Sequence, residues 1–187
     1  MQSKKPEQGK KGGAKEALQR IPQAAGMVIM LLLLVVSLFV GNFRALSGAT
    51  PKDFIRQGDV KSIIEDRIDA ANNAMTVAKR AGLDDEVFDG VDHLINSMEG
   101  AKTAREISRA DQDLTAAVVE IITAAGERLD DENRAMLQSA ADDFAEMGSF
   151  LRQEARAYNK KAEKAEALYE KLPTRFVLPE PDVYEGL

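Results

Sequence analysis

There is no cysteine and no tryptophan in this chain, and its one histidine is His93. Without cysteine there is no disulfide, no thiol nucleophile and no thiolate metal site. A zinc centre of the usual kinds would need further histidine or cysteine ligands beside His93, and there are none. Lying between Val91 and Leu94, His93 falls off the apolar stripe and reads as a solvated side chain. Neither a phosphate-binding glycine loop nor a Gly-x-Ser-x-Gly elbow occurs. The clusters Asp84-Asp85-Glu86 and Asp130-Asp131-Glu132 lack the alternating spacing and central glycine of a calcium loop, and helix starts explain both. Carboxylates abound, but no spacing sets two of them across one cleft. The expectation is a non-catalytic protein with no cofactor and no metal. Aromatic residues make up only 5%, so Ala, Leu, Ile, Val and Met must supply the packing. Alanine-rich interfaces bury little area each, and a domain built on them needs long helices.

What is present begins with one apolar run, Ala24 to Val40, whose only polar side chain is Ser37. At 1.5 Å per residue, this run spans roughly 26 Å as a helix, and residues 21–43 span about 34 Å. A bilayer core of about 30 Å lies between those lengths. The run reads as a transmembrane helix over residues 21–43, behind a disordered basic tail over residues 1–20. The alternative is a cleaved signal peptide, for which Ser47 and Ala49 offer small residues. Its apolar region, however, is normally 7–15 residues and begins sooner.

Charge divides the chain at the same place. Residues 1–44 carry seven Lys or Arg against two acids, leaving 18 and 29 for residues 45–187. The two parts are therefore +5 and −11. The heavier basic flank stays cytoplasmic, so the expected topology is N-terminus in and helical domain out, a single-pass protein of the cell membrane. The acidic part argues against a nucleic-acid partner.

Beyond a linker over 44–50, Thr50-Pro51-Lys52-Asp53 has the form of a helix start. Ile63, Ile64, Ile68, Ala71, Met75 and Ala78 continue that helix at spacings of three and four, with Gly58 weakening its start and Gly82 as its stop. A second helix opens at Asp84, runs through Val87, Val91, Leu94, Ile95 and Met98, and meets Gly100. The third takes Ile107, Ala110, Leu114, Val118, Ile121 and Ala125. The second and third also read as one broken helix. The last runs from Asp131 to Leu172, with Met136, Leu137, Phe144, Met147, Leu151 and Tyr158 on its stripe and Pro173 closing it. Nothing alternates as a strand does. The expected fold is all-α: an elongated antiparallel bundle of three or four long helices over 51–172, then an extended or disordered tail over 173–187.

The first and last of these helices carry a resemblance to the LemA family, in which one membrane helix precedes a helical domain. That family's first soluble helix has a motif like L-x-R-R-x-D-L-I-P-N-L-V. Residues Ile64 to Met75 run in register with it and keep Arg67, Asp69 and Asn73, while Asp66 and Asn72 replace an arginine and the proline. Tyr158-Asn159 matches the first of the family's two Tyr-Asn pairs, the second being replaced by Ala165-Glu166, and Leu172-Pro173 stands where Phe-Pro closes the helix. The resemblance implies a membrane-anchored helical protein and brings no catalytic residue with it.

The kept residues suggest a polar clasp between first and last helices, built from Arg67, Asp69, Asn73, Tyr158 and Asn159. The bland alternative is that they are ordinary surface and boundary residues. The functional expectation is an envelope scaffold or adaptor that binds protein partners or self-associates. An envelope sensor or small-ligand-binding bundle, or a cleaved soluble exported helical protein, is the alternative. Met-containing and Ala-rich faces suit a partner helix.

Overall fold

A computed structural model describes residues 23–171 and 175–186 of the chain. The basic tail expected over 1–20, the start of the expected membrane helix and the closing Leu172-Pro173 lie outside the described residues. Among those described there are six α-helices, one short 3-10 turn and no strand. They fall into two compact units, one up to Asn42 and one from Phe43 onward.

Helix α1, Gln23–Leu46, holds the apolar run. Within it Ala25–Leu46 has a mean hydropathy of 2.5, is long and apolar enough to cross a membrane, and has only 6% of its apolar window buried.

The first whole helix of the second unit is a short one, α2, Asp53–Arg56, followed by α3, Val60–Ala78. One helix was expected from Thr50 to Ala78, and Gly58 divides it: the backbone turns there at φ +50°, where a β-carbon is strained. Asp53 rather than Thr50 makes the local contacts, its carboxylate accepting from the Thr50 N–H at 2.8 Å and the Thr50 hydroxyl at 2.5 Å. The break turns Phe54 of α2 into the core, where it is fully buried. After α3, a 3-10 turn over Lys79–Ala81 ends on Gly82 in the left-handed region, at φ +66°.

Helices α4, Asp85–Gly100, and α5, Ala104–Gly126, are separate. What starts α5 is a capping box. The Thr103 hydroxyl accepts from the Glu106 N–H at 3.2 Å, and the Glu106 carboxylate accepts from the Thr103 N–H at 3.1 Å. Helix α6, Asp131–Tyr169, is capped by Asp130, which accepts from the Asn133 N–H at 2.8 Å.

The most extensive pairing is α3 with α6, and α4 pairs most with α5. Helices α3 and α6 run in opposite directions. Gln57, just before α3, meets Glu154 and Lys161, Arg67 meets Phe144, and Arg80 meets Asn133. The core between them is rich in alanine, with Ala71, Ala74 and Ala78 facing inward on α3 and Ala155 and Ala162 on α6, all fully buried. Small side chains let these backbones approach closely enough for a single arginine to reach across. Met136, placed on the α6 stripe from its spacing, is 44% exposed while Leu137 is buried; neighbours about 100° apart on a helix cannot share so narrow a face.

The segment 175–186, for which the sequence suggested extended or disordered chain, carries no regular structure and folds back on the helices. Tyr184 is 3% exposed and Asp182 is 6% exposed.

Candidate functional site

The site is a buried polar network in an otherwise apolar core. Arg67 lies on the inward face of α3, four residues before Ala71 and three after Ile64, so the period that buries those residues buries a guanidinium too. Each of its three nitrogens has a partner. Nε donates to Asp111 Oδ1 at 2.5 Å, Nη1 to the Phe144 carbonyl at 2.5 Å, and Nη2 to the Thr115 hydroxyl at 2.6 Å. The guanidinium carbon also stands 3.9 Å from the centre of the Phe144 ring, a cation–π arrangement strengthened by the loss of water.

Room for this arginine comes from Gly148, one turn beyond Phe144 on α6. A β-carbon there would lie 2.9 Å from the guanidinium carbon and closer still to Nη1. Removal from water pushes the Arg67 pKa below its ordinary value, and the Asp111 carboxylate opposes that shift.

Asp111 sits on α5 between Ile107 and Leu114, again on an inward face. One oxygen takes Arg67, and the other accepts the Tyr184 hydroxyl at 2.8 Å. Burial raises the Tyr184 pKa above the ordinary phenol value, and the neighbouring carboxylate raises it further. Three parts of the chain thus meet at one carboxylate: α3, α5 and the C-terminal segment. Among the described residues, no buried side-chain nitrogen or oxygen is left without a hydrogen bond.

The C-terminal segment is held along its backbone as well. Asn159 of α6 donates to the Tyr184 carbonyl at 2.8 Å and accepts from the Tyr184 N–H at 2.9 Å. Ser108 and Gln112 of α5 both donate to the Glu185 carbonyl, Gln112 at 3.1 Å. The Arg105 N–H donates to Asp182 at 3.0 Å, and its guanidinium reaches Glu185 at 3.0 Å. The Tyr184 ring packs on Phe54 with centroids 5.5 Å apart, and Phe54 packs in turn on Tyr158 at 5.2 Å.

The proposed clasp is therefore redrawn. Arg67 does cross to α6, but its partners are Asp111, Thr115 and the Phe144 carbonyl. Tyr158 is fully buried, its hydroxyl donating to the Thr50 carbonyl at 3.1 Å, and Asn159 holds Tyr184. Burial raises the Tyr158 pKa, with the charges of Asp182 and Asp53 adding to it. Asp69 and Asn73 lie exposed on the outer face of α3. No two of the five bond to each other, because the two-residue step from Arg67 to Asp69 turns the carboxylate away from the core.

Asp111 and Tyr184, which complete the network, were not among the sequence candidates. A signal for Asp111 existed: it and Arg67 are opposite charges on the apolar stripes of two helices. Asp69 instead lines a groove of about 440 Å³ between α3 and α4, floored by Ile64, Ile68 and Met98 and rimmed by Lys61 and Glu99. His93 is exposed, as its position off the stripe indicated.

Comparison with protein-family models, with curated proteins and with solved structures finds no match for this chain. Its class is accordingly defined by its own fold: an all-helical protein with one N-terminal helix apolar enough to span a bilayer.

Proposed function

We propose that the chain is a membrane-tethered helical scaffold or adaptor of the cell envelope, non-catalytic, acting by binding protein partners or further copies of itself. The observation that carries this reading is the apolar face of α1, exposed from Met27 through Val40. A contiguous apolar surface of that length is costly in water and favourable in lipid. With Lys and Arg weighted toward the N-terminal side, the helical domain stands outside the cytoplasm. Its three or four longer helices act as an antiparallel bundle held close to the bilayer, which raises its effective concentration toward membrane neighbours.

A structural role for the buried network supports the non-catalytic part of the reading. Each nitrogen of Arg67 has a fixed partner within the chain, and the group is 1% exposed. The resemblance to the LemA family belongs to the same proposal: of the kept residues, Arg67, Tyr158 and Asn159 are the ones that hold the core.

Intact mass after membrane fractionation tests the reading. Full-length chain released only by detergent is the expected result. A soluble product beginning near Thr50 would overturn the tether and leave an exported soluble protein. A second reading, a small apolar ligand held between helices, is favoured by the groove between α3 and α4, whose size falls within the ordinary range for ligand sites.

A further inference from the structure

We infer that the surface receiving Asp182–Glu185 is a peptide-recognition site for an acidic, tyrosine-centred segment, and that the segment of a neighbouring copy of this chain can occupy it. The contacts are those of a receptor with its ligand. The Asn159 side chain pairs with both the N–H and the carbonyl of Tyr184, Ser108 and Gln112 take the next carbonyl, and the ring is buried against Phe54. Specificity comes from Asp111 at the pocket floor, which accepts the phenol hydroxyl, and from Arg105 at the rim, which faces Asp182 and Glu185. A phenylalanine would leave one Asp111 oxygen without its donor, and a basic flank would oppose Arg105.

The occupant is a second copy because this chain itself carries the matching sequence, Asp182-Val183-Tyr184-Glu185. Tyr184 lies fifteen positions after Tyr169 at the end of α6, and a chain of that length reaches about 50 Å when extended. That is enough to cross to an adjacent domain. Seating Asp182–Glu185 within one chain or between two makes the same contacts at the site, and reaching outward gives up only the bonds of the Tyr169 hydroxyl to the Arg175 and Leu178 carbonyls, so the choice rests mainly on effective concentration, as in domain swapping. This deepens the proposed self-association and rests on the membrane tether for the crowding it requires.

The absence of native cysteine gives a direct test on the full chain. Arg109→Cys and Glu180→Cys are made separately and together; both side chains are exposed beside the same groove, and neither takes part in the contacts that hold Asp182–Glu185. The two single variants are mixed, reconstituted into lipid vesicles at several chain-to-lipid ratios, and treated with a short bismaleimide. We expect a covalent heterodimer whose yield rises roughly in proportion to the ratio, and which disappears when the Glu180→Cys chain also carries Tyr184→Ala. The double variant is expected to cross-link within one chain at low density, showing that the segment is seated. No heterodimer at any ratio, a heterodimer indifferent to Tyr184→Ala, or a double variant that fails to cross-link would each overturn the inference. Flotation of the same vesicles reads the tether separately. A chain that cross-links but does not float refutes the anchor and leaves the peptide site standing.

Discussion

Replacing Arg67 with methionine tests whether the core is organised around its ion pair. Methionine keeps much of the stem's volume but withdraws every donor. Asp111 is then a buried carboxylate held only by the Tyr184 hydroxyl, and the Phe144 carbonyl and Thr115 hydroxyl each lose a partner. Breaking a buried pair from one side typically costs about 3–5 kcal/mol, most of it the cost of the charge left behind. For a unit near 150 residues, at about 2–4 °C per kcal/mol, the melting temperature should fall by roughly 6–20 °C. Asp111→Leu alone should cost a similar amount, for it strands the guanidinium. The double variant removes both charges, and its loss should be smaller than the sum of the two singles by about 3 kcal/mol or more. Thermal melts followed by helical circular dichroism in one detergent give all four corners of the cycle. Additivity within about 0.5 kcal/mol would refute the argument, since independent sites add and an ion pair does not.

Tyr184→Phe should cost about 1.5–3 kcal/mol, the range for a hydrogen bond to a charged group, and should alter the alkaline arm of stability. The phenol's pKa is raised in the folded state, so its contribution is complete below about pH 10 and is lost as pH rises through the folded value; superimposable alkaline unfolding profiles for variant and wild type would count against the contact. Gly148→Ala should destabilise by about 1–3 kcal/mol because the new methyl displaces Arg67, whereas Gly90→Ala, in open space on α4, should stabilise by about 0.5–1 kcal/mol. Paired denaturant titrations giving the same sign for both would contradict this. Thr103→Ala should cost about 1 kcal/mol. Glu106→Gln should flatten the acid arm, because the Lys102 N–H, more than that of Thr103, holds the Glu106 pKa below its ordinary value. That contribution is present above about pH 4.3 and is lost as pH falls below it, as an acid titration of both chains would show.

The helices were legible because alanine, leucine and isoleucine recur at three and four, and because Gly82, Gly126 and Asp130 mark ends by local chemistry. The division at Gly58 was less so. A glycine in a helical pattern weakens it, but that the chain turns there depends on Phe54 having a pocket to enter, which is a tertiary fact. Thr103-x-x-Glu106 was a readable start for α5 that the stripe alone did not use. At the site, Arg67 was found through its motif and Asp111 was readable as a charge on an apolar stripe. Tyr184 was not readable. It sits in a proline-flanked segment without period, and its burial comes from three helices that the local sequence does not contain. Asp69 and Asn73 came from the same motif as Arg67, but a motif match does not say which face of the helix a residue takes, and both are exposed.

The join between Asp111 and Tyr184 also sets a clock. The carboxylate is synthesised 73 residues before the hydroxyl that it receives, an interval of about 4–15 s at ordinary translation speeds. Helix α5 is complete fifteen residues into that interval, and Asn159, which holds the Tyr184 backbone, follows 25 residues before Tyr184 itself, so the whole receiving surface stands vacant over the last stretch. On one messenger read by several ribosomes, a finished chain can offer its segment to a younger neighbour before the neighbour has made its own.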